Sequence, residues 1–368
     1  MFLVRKYIIK EIFLHFSATF FLLFFIFSSN QCITLLTKVA NGKLPLIILG
    51  KLMLLYSPEI LGCLIPVSLF IATLFVISKL YADNEVVVLF TSGIIWNFLI
   101  KTILCIALLL ALFNGIITLW LIPNTIESRE KIVSKSEASL INAVIPGQFN
   151  VINDGKQVFY VEEINNNNFQ DIFIATNGDD LLDSHKSGTI NIITAKSGYV
   201  KTDHNRDNSL VVLQNGNKYS GLFNNTDFFV INFNEYGKSL LQNNTVETSA
   251  VKTKKTKEIF NSKNPEEIAE NQWRLAMPIA TIILSMLAIG LGKVIPRQGR
   301  FAKFFPAILL YIIYSNSMLF VRRLVAGNVF PDFLGIWMVH IIFLIIAIIL
   351  LLQSSGWLLY LKQKLFKF

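Results

Sequence analysis

Cysteine is scarce and badly placed for covalent work. The 368-residue chain has three, Cys32, Cys63 and Cys105, each inside a long apolar run. None lies in the polar middle of the chain, which excludes a disulfide-stapled or cysteine-metal domain there. They are expected as small core residues, since a free buried cysteine behaves as a small hydrophobe. The four histidines, His15, His185, His204 and His340, are far apart and match no metal-ligand spacing. Gly-x-x-x-x-Gly-Lys-Ser/Thr, His-Glu-x-x-His and Gly-x-Ser-x-Gly are all absent. The chain therefore encodes no phosphate-cradling loop, zinc-hydrolase helix or nucleophile elbow of its own. Charge is sparse too, 15% against 53% hydrophobic residues. The centres of the apolar runs carry almost none, which argues against an ion-coupled transporter.

What charge there is divides sharply. Residues 123–272 hold 19 of the 24 acids and 15 of the 33 bases, a net charge of −4, and the flanks carry +13. The overall charge of +9 is thus no sign of a nucleic-acid partner, because the basic excess belongs to the hydrophobic part. A helix crossing ~30 Å of hydrocarbon needs ~20 mostly apolar residues. Six stretches qualify, roughly Ile12–Leu36, Leu52–Ile77, Phe98–Ile122, Leu275–Leu291, Phe304–Phe320 and Leu334–Leu352. The first is too long for a cleaved signal peptide and is expected to be retained. Twelve Lys and Arg gather near one set of span ends and five near the other. That asymmetry places both termini in the cytoplasm and the polar insert outside it.

Within the insert the hydrophobic period changes. Short β-branched or aromatic runs cover Gln157–Glu162, Asp171–Ala175, Thr189–Ala195, Ser209–Leu213 and Asp227–Phe233. Turn signals separate them, among them Asn215-Gly-Asn217 and Glu235-Tyr-Gly237. Repeated short strands with turn chemistry predict an all-β sandwich or jelly roll. Gln242–Asn264, rich in Asn, Thr and Lys, reads as a mobile return linker. The expected fold is a membrane α-helical protein with six transmembrane helices and an inserted all-β, jelly-roll-like domain. Its parts are 1–122 (helices one to three, with a short cytoplasmic helix at about 78–93), 123–272 (β domain and linker) and 273–368 (helices four to six).

Four stretches carry a resemblance. They are Leu80-Tyr81-Ala-Asp83-Asn-Glu85 with Gly93 after it, Pro146-Gly147-Gln148-Phe149, Pro296-Arg297-Gln298-Gly299-Arg300, and Gly335-Ile-Trp337. In this order, inside a three-span, β-domain, three-span layout, the whole chain resembles the lipopolysaccharide export permeases of Gram-negative bacteria (the YjgP/YjgQ, or LptF/LptG, family). The second and third stretches look more like the F-type member than the G-type. The resemblance implies a non-catalytic permease subunit of an ABC-type exporter in the bacterial inner membrane, with the β domain in the periplasm. It further implies a paralogous G-type permease, a cytoplasmic ABC ATPase dimer, a periplasmic bridge protein of jelly-roll type, and lipopolysaccharide itself as partners. No cofactor is expected on this chain; ATP is used by the ATPase.

The resemblance also makes the loop around Glu85 the helix that docks on the ATPase, with Glu85 as the coupling acid and Leu80, Tyr81 and Asp83 beside it. A helix lying in the headgroup plane is the plainer reading of the same residues. For lipid A phosphates, the basic groups at the outer span ends, Lys38, Lys43, Arg322 and Arg323, are candidates, and snorkelling to anionic lipid explains them equally well. Phe149, Phe159, Ile174, Phe223 and Phe229 are candidates for an apolar groove for acyl chains, with core packing as the alternative. Two other functions stay open, a lipoprotein-release type ABC permease and a membrane-anchored periplasmic scaffold or sensor.

Overall fold

A computed structural model describes all residues except 1, 41–43, 94, 142–145, 153–156, 166–167, 178–188, 204–207, 223–227, 240–250, 295–300, 302, 332 and 355–368. Its helices are α1 (Phe2–Ala40), α2 (Leu49–Ala82), α3 (Glu85–Thr91), α4 (Trp96–Ile116), α5 (Ile122–Ile141), α6 (Thr256–Ile259), α7 (Pro265–Leu291), α8 (Phe304–Ala326) and α9 (Gly335–Ser354). Between α5 and α6 lie strands β1 (Phe149–Ile152), β2 (Gln157–Asn165), β3 (Asn168–Asn177), β4 (Thr189–Asp203), β5 (Asn208–Leu222) and β6 (Phe228–Ser239). Among the described residues, six helical stretches are long and apolar enough to cross a membrane: Phe2–Ala40, Leu46–Ala82, Trp96–Val133, Pro265–Leu291, Phe304–Ala326 and Gly335–Gln353. Two compact units result. One holds Met1–Gln31, Met53–Ser128 and Thr245–Phe368, the other Cys32–Leu52 and Arg129–Asn244.

In the helical unit, α7 is the hub. Ala276, Ala280, Ile283, Leu284, Leu287 and Ala288 are buried among Phe70 and Leu74 of α2, Tyr314 and Met318 of α8, and Val339 and Phe343 of α9. Small residues at helical spacing let the neighbouring backbones approach, which is how membrane helices gain packing contact. A second cluster joins Ile8 and Ile12 of α1, Ile77 and Leu80 of α2, Val86 of α3, and Trp96 and Leu99 of α4. By contrast, α1 is little covered between this point and the buried Leu35; Phe21, Leu22, Phe25 and Ile26 are all exposed on the chain alone. Cys63 and Cys105 are exposed as well, and Cys32 is half-buried. The expectation of three core cysteines thus fails: Cys63 and Cys105 lie on span faces left open on this chain, and Cys105 Sγ accepts from the Arg5 guanidinium at 3.8 Å.

α7 starts well before Leu275. Asn264 accepts a hydrogen bond from the Glu266 amide at 3.1 Å, Pro265 occupies the first turn, and Glu266 and Glu267 follow. An Asn cap, a proline and two acids form a strong start signal, one that hydropathy alone passes over. A proline inside a span frees a carbonyl, and at Pro58 a hydroxyl takes it up. Pro58 has no N–H for the Leu54 carbonyl, and Ser57 Oγ donates to it at 2.7 Å. This is the local repair that lets proline sit in a membrane helix.

The inserted unit is an antiparallel β domain whose described strands pair in chain order, β1 through β6. Phe159, Ile174, Ile193 and Lys218 lie opposite one another across β2 to β5, all on one side of the sheet. With Val161, Phe169, Ile172, Ala195 and Leu213, the three apolar members form its core. One feature crosses every strand from β2 to β6. Glu162, Asp171, Lys196, Asn215 and Asn234 lie in line, and the register is interrupted at each of them. Asp171 and Asn215 there have φ of 45° and 52°. On β3 the buried side passes from Phe169 to Ile172, and on β4 from Ala195 to Gly198, a step of three rather than two. Each such residue is an irregular link that turns its strand and keeps the same side inward, and because all these strands have one at the same level the partner offsets are unchanged across it. A row of them is a corner in the sheet.

That corner corrects the expected turns. Asn215-Gly-Asn217 and Glu235-Tyr-Gly237 lie inside β5 and β6. Asn tolerates the left-handed backbone, and a Cβ on Gly216 would collide with the Thr194 carbonyl. The return segment is corrected in part too. From Val251 onward it is packed, with Val251 and Ile259 buried, whereas 242–250 lie outside the described residues. Replacing Phe159 by Ala should destabilise the β domain by about 3–5 kcal/mol, whereas Phe149→Ala should change it by less than about 0.5 kcal/mol. Limited proteolysis of the full-length protein in detergent checks this, the Phe159 variant alone being cut faster within the insert.

Candidate functional site

The loop between α2 and α4 is built around one break. α2 runs to Ala82, and Asn84 then adopts a left-handed φ of 57°. The chain restarts as α3 with Glu85 as its first residue. An acid in the first turn is favoured by the unpaired amides there. Leu80 is fully buried beneath this corner, Val86 is buried beside it, and Tyr81 meets Trp96 edge-on at 5.9 Å. Leu80 and Tyr81 therefore hold the corner, and Asp83 is exposed on it. Val87, Val88 and Phe90 are exposed on α3, so the short helix presents an apolar surface next to Glu85. The Tyr7 hydroxyl, from α1, donates to Glu85 Oε2 at 3.0 Å and lies 3.3 Å from Oε1. Nothing in the linear sequence marks Tyr7.

At the far end of the same helices sits a buried charge network. Arg274, 2% exposed, donates through Nε to Glu270 Oε1 at 3.0 Å. Its other nitrogens reach the carbonyls of Lys252 and Lys254 at 2.9 and 3.0 Å and Thr256 Oγ1 at 3.0 Å. Thr256 Oγ1 in turn donates to the Leu119 carbonyl at 2.6 Å. Leu119 lies in a π-helical turn, Ile117–Leu121, that joins α4 to α5. Pro123, four residues on, has no N–H to offer that carbonyl, so the hydroxyl takes its place. The second oxygen of Glu270 accepts from Arg322 of α8 at 2.6 Å, and the Arg322 guanidinium lies 4.7 Å from the Trp273 ring centroid. Lys254 pairs with Glu267 at 2.6 Å.

Gln272, also on α7, explains the Gly335-Ile-Trp337 stretch. Its Oε1 accepts from the Ile336 amide at 3.0 Å, capping the start of α9. Gly335 has φ of 33°, and a Cβ there would occupy the space of the Gln272 amide. Glycine is required on both counts.

The remaining candidates fall into distinct places. Arg322 is engaged by Glu270 and Trp273, whereas Arg323 is exposed in the last turn of α8. Lys38 is exposed in the last turn of α1; Lys43 lies outside the described residues. In the β domain Phe159 and Ile174 are fully buried core residues. Phe229 is on the same side, by its register with Ser220 and Asn191, but is 71% exposed on the edge strand. Phe149 is on the opposite side, 67% exposed, against Tyr160 at 4.9 Å and Phe173 at 6.3 Å. Phe223 lies outside the described residues. Helical i,i+4 spacing marks Glu270 and Arg274 as a pair in the sequence, but Thr256, Gln272 and Tyr7 carry no such signal, and only folding brings them to their partners.

A polytopic membrane subunit with three spans, an antiparallel β insert and three more spans, and with no nucleotide-binding loop, is a permease in architecture. The comparisons with known proteins carry this further. The family model for the lipopolysaccharide export system permease LptF/LptG matches residues 6–353. The lipopolysaccharide export system permease protein LptF of Escherichia coli strain K12 is 24% identical over 356 residues, covering 96% of this chain and 95% of that one. The LptF of Shigella flexneri matches to the same extent. The chain belongs to the LptF/LptG family, on its LptF-like side, and is a permease subunit of lipopolysaccharide export.

Replacing Arg274 by Met leaves Glu270 with Arg322 alone and strips two carbonyls and a hydroxyl of their buried donor. The loss of one partner from a buried ion pair costs about 3–5 kcal/mol. Thermal unfolding in detergent should show a clear drop for Arg274→Met and almost none for Arg323→Ala, an exposed change worth within about 0.5 kcal/mol.

Proposed function

We propose that this chain is the F-type permease of an ATP-driven exporter, in which Glu85 and α3 dock on a cytoplasmic ABC ATPase dimer. The observation that carries this reading is the α2–α3 corner. A seven-residue helix with exposed Val87, Val88 and Phe90 starts on a carboxylate, directly after a left-handed break at Asn84. Its base is packed onto α1, α2 and α4 through Val86, Leu80 and Trp96. A rigid peg of this kind passes movement of a docked motor to the spans, and a carboxylate in a basic groove fixes its register by a charge-assisted hydrogen bond.

In this reading both termini are cytoplasmic, the membrane is the bacterial inner membrane, and the β domain lies in the periplasm, as the charge asymmetry of the span ends supports. The bare face of α1 and the exposed faces of α4 and α8 leave room for lipid and for a paralogous G-type permease. Lipopolysaccharide would be drawn between the two permeases. Its phosphates would meet the outer basic residues, of which Arg323 and Lys38 have exposed side chains and Arg322 is held by Glu270. Acyl chains would follow the cored side of the sheet past Phe229. The apolar edge Phe229-Val230-Ile231 suits a periplasmic bridge protein that adds its own strands, as unpaired sheet edges do. This chain would bind no cofactor, and ATP would be hydrolysed on the partner.

The test is purification of the tagged chain from Gram-negative membranes, with and without Glu85→Lys. A second six-span permease and a small ATPase should accompany the unaltered chain, and the ATPase should be lost from the variant. Equal recovery in both would remove Glu85 from the docking site.

A further inference from the structure

Tyr7 and Glu85 are 78 residues apart, yet the phenol hydroxyl reaches both carboxylate oxygens, at 3.0 and 3.3 Å. Leu3, Val4 and Tyr7 of α1 face Asp83, Glu85, Val88 and Leu89 across a cavity of about 400 Å³. Leu3 and Val88 on its walls are exposed. The beginning of α1 is fixed in place on two sides. Ile8 and Ile12 are fully buried in the cluster that also holds Val86 of α3. Glu11, one turn on, accepts from Lys79 Nζ of α2 at 2.9 Å and lies 3.4 Å from His15 Nε2. The hydroxyl is therefore presented to the carboxylate by a rigid leg.

A glutamate on a surface helix has several side-chain rotamers of similar energy, and a partner must select one on docking. A phenol donating to its carboxylate selects one beforehand and leaves acceptor positions on both oxygens for a cation, since a carboxylate offers about four. We propose that Tyr7 is a positioning residue for Glu85, and that the first turns of α1 form one wall of the surface on which the ATPase docks. The proposal rests on the coupling reading of Glu85. It adds a second segment, far away in sequence, to a surface so far assigned to the α2–α4 loop alone. The occupant is the ATPase, through a side chain with an apolar stem and a cationic head. The cavity joins two carboxylates, Asp83 and Glu85, to the apolar side chains of Leu3, Val4, Val88 and Leu89.

The experiment is a binding titration of the ATPase onto the purified permease pair in lipid nanodiscs, with ATP turnover as a second readout. Four variants are compared: Tyr7→Phe, Glu85→Ala, the double variant and Leu3→Asp. Tyr7→Phe keeps the ring and removes only the hydroxyl. It should weaken binding by about two- to tenfold, the range expected when one side chain must be ordered on docking. In the Glu85→Ala background it should change nothing, because a hydroxyl that acts through Glu85 has nothing left to position. Leu3→Asp, an exposed change, should also weaken binding.

The outcomes separate cleanly. If Glu85→Ala loses binding and Tyr7→Phe equals the unaltered protein, the positioning role is overturned and the coupling role of Glu85 stands. If the loss from Tyr7→Phe persists undiminished in the double variant, the ring acts through packing and the positioning role again falls. Undiminished binding by Leu3→Asp overturns the docking wall. If Glu85→Ala itself binds normally, the coupling reading falls and this proposal with it.

Discussion

The helical unit depends on one buried guanidinium. Arg274 is almost fully enclosed, and a charged group in so dry a place persists only when paired and fully hydrogen-bonded. Four of its donors are accounted for by Glu270, two backbone carbonyls and a threonine hydroxyl. That requirement dictates where the segment returning from the β insert must lie. The same chain of bonds runs on through Thr256 to the carbonyl freed by Pro123 and through Glu270 to Arg322. The helix that leads into the insert, the segment that leaves it and the two spans that follow are thus tied by polar contacts that tolerate little misplacement. An apolar contact is non-directional; this network is not.

The other end of the unit uses the opposite principle. The corner that carries Glu85 is held by packing of Ile8, Ile12, Leu80, Val86, Trp96 and Leu99. A single left-handed residue, Asn84, does the steering. Charge there is left at the surface, where a partner can reach it. Buried charge at one end fixes geometry within the chain, whereas at the other end Asp83 is exposed and Glu85 half-buried.

The β domain shows a third device. Its strands are long, but a transverse row of unpaired residues bends β2 to β6 at one level while the same side stays inward. The bent sheet gathers its apolar side around Phe159, Ile174 and Ile193. Lys218 lies in the same row, its amine 5.8 Å from the Tyr236 ring centroid, where the aromatic face offers a partial counter-charge.

Much was legible in the linear order of residues. The six spans, the inserted β domain, the short loop helix and the acid on it all follow from hydropathy, period and turn chemistry, because each is a property of about 20 neighbouring residues or fewer. The early ends assigned to the strands follow the same logic. Alternation does break at Glu162, Asp171, Lys196 and Asn215, and a break that resets alternation looks like a turn until the neighbouring strands are known. Gly335 and Gly216 were visible as glycines, but their reasons, the Gln272 amide and the Thr194 carbonyl, come from 63 or 22 residues away in the chain. The partners of Glu85, Glu270 and Thr256 lie still beyond any local signal, 78, 52 and 137 residues distant. Local sequence determined which segments enter the membrane and which form strands, since those choices depend on each segment's own burial and period. Only the tertiary structure decided that Tyr7 meets Glu85 and that Arg322 belongs to Glu270 rather than to open solvent, since a polar group's partner is whichever complementary group folding leaves within 3 Å.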